Sequence, residues 1–347
     1  MINRFVNRWS LRVLFVLLAA AGSNAKCQTK TPVGPKPPDA PKTWKDLIGI
    51  YASPQDTLLV AENNRVLCLI TRKLQYVPLM RDIRGIYRIV PTRLFTEPTL
   101  TFQTNGHTRP SSLTIGTTLY RRLIVGNENG GSFHITPVIP VEELRKTALA
   151  ATPPKEEGDF RKPDLVDLST LDPTIKLDIR YATKNNFAGE KFYSEAKAFM
   201  QRPAAEALLR AHHWLKQFGY GLLIHDAYRP WYVTKMFWDA TPDDKKIFVA
   251  DPAKGSRHNR GCAVDLTLYN LKTGKQVEMA GGYDEMSERS YPDFPGGTSL
   301  ERWNRALLDT AMTMQGFKVY EFEWWHFDYK DWQKYRIGTE TFEELER

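Results

Sequence analysis

The sequence predicts two folded units in series: a small all-β domain of sandwich or barrel type, then an α+β domain. Three observations carry that prediction. At 347 residues the chain exceeds the ~100–200 residues of one ordinary domain. Short apolar or alternating runs recur between 44 and 141 with turn residues between them, whereas helix-length and strand-length patterns mix beyond 164. Residues 148–163 read ALAATPPKEEGDFRKP, a proline- and charge-rich break. A hydrophobic share of 42% with 12% aromatic residues excludes a disordered chain.

Residues 1–25 read as a signal peptide. Arg4, Arg8 and Arg12 precede an apolar run over 13–21, and Ser23, Asn24 and Ala25 supply small residues at cleavage spacing. That run is far shorter than the ~20 residues needed to cross a bilayer as a helix, so no transmembrane span is expected in the mature protein. The expected location is therefore exported, periplasmic or envelope-associated. Lipidation at Cys27 is the weaker expectation, because Lys26 stands where a lipid-anchoring site carries a small residue. Residues 26–42, KCQTKTPVGPKPPDAPK, form a tether.

The β-rich unit is placed at 43–147, with strands near 57–60, 66–71, 87–90, 99–103, 119–125 and 132–138. Its His107 and His134 have no acidic partners nearby in sequence and are not expected to bind metal. After the 148–163 linker, the unit at 164–347 begins with a strand at 175–181. A helix at 203–217 follows, with Pro203 at its start and Gly219 past its end. Next come a buried strand at 221–225, a helix at 300–314 and an aromatic strand at 319–329. Because every chemistry-bearing motif lies beyond the linker, residues from about 159 onward are expected to fold and work alone.

Composition narrows the function. Cys27, Cys68 and Cys262 match no zinc-finger or disulfide-scaffold spacing. Removing the three leader arginines reduces the formal charge from +8 to +5, and no Lys/Arg-rich run points to nucleic acid.

Polar residues concentrate in three segments. In Ser256-Arg257-His258-Asn259-Arg260-Gly261-Cys262-Ala263-Val264-Asp265, an imidazole and a carboxylate could supply two of the three protein ligands of a catalytic zinc site. In Glu321-Phe322-Glu323-Trp324-Trp325-His326-Phe327, a histidine and a glutamate three residues earlier could supply a ligand and a base, with tryptophans excluding water. Alternating strand geometry cannot put Glu323 and His326 on one face of a straight strand, so a bulge or strand end must intervene. In His225-Asp226-Ala227-Tyr228-Arg229-Pro230, an arginine at a strand end could donate to a developing oxyanion; the alternative is a structural Arg–Asp pair.

The runs YATKNNF at 181–187, GYGLL at 219–223, DAYRP at 226–230, SRHNRGCAVDLTLY at 256–269 and EWWHF at 323–327 together resemble the D-alanyl-D-alanine dipeptidase family, which includes the vancomycin-resistance dipeptidases. The resemblance spans about 165–335, and the β-rich region has no counterpart in the minimal enzymes. It implies an α+β zinc peptidase domain with one Zn2+ per chain on His258, Asp265 and His326. It also implies Glu323 as acid/base, Arg229 stabilising the transition state, Asp284 holding the substrate ammonium, and Tyr181, Asp226 and Ser256 as further substrate-binding positions. The implied substrate is D-Ala-D-Ala or a similar dipeptide, linked to peptidoglycan turnover. Alternative expectations are a D,D-carboxypeptidase or peptidoglycan endopeptidase of the same zinc fold, and a non-catalytic wall-binding module with a structural zinc. Cys262 lies between two of the implied ligands, and strand alternation turns it away from Asp265 as a small buried filler.

Overall fold

The computed structural model describes residues 33–83, 86–90, 99–104, 106, 108–126 and 134–347. The expected leader, Cys27 and His107 lie outside them. A single turn α1 (Lys42–Lys45) leads into β1 (Gly49–Ala52), β2 (Thr57–Asn63), β3 (Val66–Ile70), β4 (Tyr76–Arg81), β5 (Tyr87–Ile89), β6 (Thr99–Gln103), β7 (Ser112–Ile115) and β8 (Thr118–Leu123). Each strand pairs with the next, and β1 closes on β8, so the choice between sandwich and barrel falls to a closed barrel. Alternate residues fill the interior: Leu58 and Val60, Leu67 and Leu69, Val77 and Leu79, Leu113 and Ile115. Such burial contributes about 1.5–3 kcal/mol for each large side chain.

The outer side of β1–β3 is covered too. Ile50, Ala61, Cys68 and Ile70 are buried facing away from the barrel interior. A cavity of about 240 Å³ remains in the seam between the barrel and the C-terminal unit, lined by Lys45, Arg122, Glu278 and Phe294 among others.

The C-terminal unit begins earlier than the sequence suggests. The strand expected at 132–138 is not formed over 134–138; there Ile135 and Val138 donate their amides to Phe187 and Ala240. Residues 141–150, expected to divide between the β-rich unit and the linker, form α2 (Val141–Ala150), with Glu142 and Glu143 in its first turn and Leu144 and Ala148 in the main core. A chain starting near 159 would lack this part of the core.

After α2 come β9 (Leu165–Asp167), β10 (Lys176–Leu177), β11 (Phe199–Gln201), α3 (Arg202–Lys216), β12 (Tyr220–Asp226), α4 (Trp231–Ala240), β13 (Ala263–Asn270), α5 (Ser299–Thr313), β14 (Phe317–Tyr320), β15 (Glu323–Tyr329) and α6 (Phe342–Leu345). The main sheet has the order β10-β12-β13-β15-β14, parallel only between β10 and β12. The predicted strand at 175–181 therefore shrinks to two residues before a 3-10 turn at Arg180–Ala182, and the aromatic strand at 319–329 divides into β14 and β15. Against this sheet α3 packs Ala204, Ala207, Leu208, Ala211 and Leu215, while α5 presents Trp303, Leu307, Leu308 and Ala311 to the same core. The Thr298–Glu301 capping box starts α5.

Candidate metal centre and active site

Three neighbouring strands set the site. The register pairs Asp226 on β12 with Asp265 on β13, and Asp265 with His326 on β15, so the three side chains form one row across the sheet. His258 joins from a 3-10 turn, His258–Arg260, that ends at Gly261 with φ +66°. Glycine is required there twice over: the backbone is left-handed, and a Cβ would lie 2.5 Å from Leu165 Cδ2. Asn259 ties this turn to the third segment by donating to the Arg229 carbonyl at 2.7 Å.

Outer hydrogen bonds fix how each imidazole presents itself. His258 Nδ1 lies 2.7 Å from the Ala227 carbonyl, which can only accept, so Nδ1 carries the proton and Nε2 turns a lone pair inward. His326 Nε2 lies 3.0 Å from Asp328 Oδ1 in the same relation, leaving Nδ1 inward. The two inward nitrogens are 3.1 Å apart, and Asp265 Oδ1 is 3.3 Å from one and 2.9 Å from the other. Tyr283 donates to Asp265 Oδ2 at 3.1 Å. Three acceptor atoms thus converge in a buried spot, an arrangement that needs a proton or a cation between them. Burial disfavours the imidazolium of His326, but its hydrogen bonds to Asp265 and Asp328 outweigh that and push it up to about 10. A metal ion would take the place of that proton. Two imidazoles and a carboxylate, each braced from behind, are a donor set that fits zinc with a position left over.

Glu323 opens β15, half-buried, with Oε2 3.8 Å from His326 Nδ1. The register shift between β14 and β15 resolves the parity problem, because it falls at the strand end where Glu323 pairs with Tyr320. Burial raises the Glu323 carboxyl above its ordinary range, aided by Asp265 and opposed by His326, His258 and Arg229.

Arg229 is buried. Its Nε and Nη2 donate to Asp226 Oδ2 at 3.0 and 2.6 Å, and its guanidinium lies over the rings of Phe237 and Tyr181 at 4.8 and 5.3 Å. Asp226, one of the expected substrate-binding positions, backs Arg229. It is fully buried, and Oδ1 already accepts from Tyr193 Oη and the Ala227 amide, so it stands behind Arg229 as its anchor. Removing one partner of such a buried pair costs about 3–5 kcal/mol. Ser256 Oγ accepts the His258 amide at 3.2 Å at the start of the His258–Arg260 turn. Tyr181 donates to Asp284 Oδ2 at 2.9 Å.

Asp284 is buried and has φ +54°, a sparsely populated conformation for a residue with a Cβ. Burial, then the charges of Asp265 and Glu323, holds its carboxyl well above the usual range. Cys262 is fully buried, and burial pushes its thiol up to about 12, so it stays a neutral filler as expected. Sequence reasoning missed Asp328, Tyr283 and Asn259. Asp328 had a signal: two residues past His326 on one strand, it shares that residue's face. Among the described residues, His258, Asp265 and His326 form the one group of three metal-ligating side chains.

The fold and this cluster define a peptidase class: residues 161–342 match the peptidase M15 family model, D-Ala-D-Ala dipeptidase, and the chain belongs to that family. Its relatives include a D-alanyl-D-alanine dipeptidase of Escherichia coli strain K12, 36% identical over 179 residues, covering 52% of this chain and 91% of the relative. One of Enterococcus faecalis is 36% identical over 171 residues, covering 44% and 85%. One of Streptomyces coelicolor is 33% identical over 186 residues, covering 48% and 92%. A solved structure of the LdcB LD-carboxypeptidase overlaps 55% of this chain and 78% of its own at 19% identity and a TM-score of 0.31, too slight a likeness to argue from.

Proposed function

We propose that the chain is a zinc-dependent dipeptidase that hydrolyses D-Ala-D-Ala or a related dipeptide released from peptidoglycan. The observation that carries this is the meeting of His258 Nε2, Asp265 Oδ1 and His326 Nδ1, three acceptors braced from outside. Zinc held by these residues would supply Lewis acidity to the scissile carbonyl and to the attacking water.

The protein's own groups do the rest. Glu323 stands beside the donor cluster with its carboxyl raised, as suits a group that accepts a proton from water and returns it to the leaving amine. Asp226 holds Nε and Nη2 of Arg229, which leaves Nη1 to donate to the developing oxyanion. Asp284 would meet the free ammonium of a dipeptide; a positive group there is the counter-charge that its neighbours Asp265 and Glu323 withhold. A buried acid at the amine end favours a free dipeptide over a longer peptide chain. The leader pattern at 1–25 supports export to the envelope, where such dipeptides arise from wall turnover.

Assay of the zinc-loaded protein on LL, LD, DL and DD dipeptides tests this reading, with hydrolysis of the DD form expected. Glu323→Gln should retain zinc and lose turnover by about 10²–10⁴-fold. Undiminished hydrolysis by that variant would remove Glu323 from proton transfer.

A further inference from the structure

Tyr283 and Asp284 sit in the connection from β13 to α5. Residues 271–298 there contain one short 3-10 turn, Glu288–Ser290, and no strand. A connection of that length is uncommon inside a compact unit, and α5 holds part of it: Arg302, Asn304 and Arg305 donate to the carbonyls of Gly296, Glu278 and Phe294. The barrel holds it at several places. Lys45 Nζ lies 2.7 Å from Glu278 Oε2. Ala280 and Phe294 pack against Ile50, Leu59 and Val125. Glu62 donates its amide to the Gly297 carbonyl at 3.0 Å.

Two contacts are close enough to act as pins. Glu62 is only 3% exposed, and its carboxylate accepts the Ser299 amide at 2.6 Å and Ser299 Oγ at 3.2 Å, so a barrel side chain sits at the N-terminus of α5. At the barrel's exit, Gly126 has φ +54°, and a Cβ there would lie 2.1 Å from Glu285 Cδ. Glu285 in turn accepts the Gly282 amide at 2.7 Å and Ser287 Oγ at 2.6 Å, and lies 2.8 Å from Arg289. Those bonds close the turn that contains Asp284. The barrel interior is filled by its own side chains, so what the barrel offers the molecule is its outer wall.

We propose that the barrel is a positioning element for the active-site loop. Through Glu62 against Ser299 and Gly126 against Glu285, it fixes Asp284 and Tyr283 and thereby sets affinity for the substrate's amine end. The claim about affinity rests on the dipeptidase reading; the claim about loop order does not. The family match at 161–342 does not include the barrel.

The test uses the full-length, zinc-loaded protein and two variants, Gly126→Val and Glu62→Gln. Hydrogen exchange is followed over 278–290, with β13 as the internal reference, alongside steady-state kinetics on D-Ala-D-Ala. Both variants are expected to exchange about tenfold faster over 278–290 while β13 keeps its protection. KM should rise about tenfold with kcat within about threefold, a split that general destabilisation would not produce. Wild-type exchange and wild-type KM in both variants would overturn the proposal. If Gly126→Val does not fold, Glu62→Gln decides alone, by the same exchange readout. If the wild-type protein cleaves no dipeptide, the functional reading fails, while the exchange result still supports or refutes the clamp.

Discussion

In the barrel, every strand pairs with its neighbour along the chain, and the side chains that fill its interior follow a two-residue alternation. The main sheet of the peptidase unit is ordered β10-β12-β13-β15-β14, so strands far apart in the chain lie side by side. The polar content of the two interiors differs accordingly. Glu62 and Ser112 are the buried polar residues of the barrel's described strands, and Glu62 faces the seam. The peptidase unit buries Asp226, Arg229, His258, Asp265, Asp284, His326 and Asp328 close to one another. Buried polar groups are costly unless paired, so their concentration in one unit marks where stability has been given up for chemistry.

That contrast makes unequal demands on the two kinds of residue, and kinetics can separate them. Arg229→Ala should lower kcat by about 10²–10³-fold with little change in KM, because the proposed contact strengthens only in the transition state. A pure KM effect would instead make Arg229 a ground-state contact. Asp328→Asn should weaken zinc affinity about 10–100-fold by loosening His326, read by competition with a chelator. Unchanged affinity would mean that Asp328 serves only its pair with Arg257. Asp284→Ala should raise KM about tenfold for free dipeptides and far less for N-acylated ones, which lack the ammonium. Equal effects on both substrates would remove Asp284 from the amine end and strengthen the carboxypeptidase alternative.

The smallest expected effect concerns a buried group outside the site. His212 on α3 is fully buried; Nδ1 accepts the Leu222 amide at 3.2 Å, and Nε2 lies 2.8 Å from Thr174 Oγ1. A second proton would face the Leu222 amide, and burial, opposed by Asp172, lowers the imidazole to about 4. The unfolded chain takes up its proton near 6.5 and the folded one only near 4, so this stability is complete above about 6.5 and declines as pH falls towards 4. Urea midpoints should show a loss approaching ~1 kcal/mol per pH unit in that window, and a shallower slope in His212→Gln. Equal slopes would mean that His212 is not the titrating group.

The same contrast governs what could be read from the sequence. Strands β2, β3, β5, β6 and β8 were legible because alternation and turn residues are local, whereas β1, β4 and β7 were not read from the sequence. The grouping of His258, Asp265 and His326 was expected from the family resemblance of the dense polar motifs that hold them. Asp328 was passed over although its spacing from His326 places both on one face. Helix α2 was divided between the β-rich unit and the linker because its ALAATPP end looks like a break, while its support comes from α4, itself unmarked in the sequence. Glu62 and Gly126 carried no signal at all, since their roles exist only through contacts with residues 299 and 285.

Metal analysis bears most directly on the central claim. The purified wild-type protein should carry one zinc per chain. His258→Ala and His326→Ala should carry almost none while keeping the wild-type far-ultraviolet circular dichroism. Near-full zinc in both variants would contradict the assignment of the three donors.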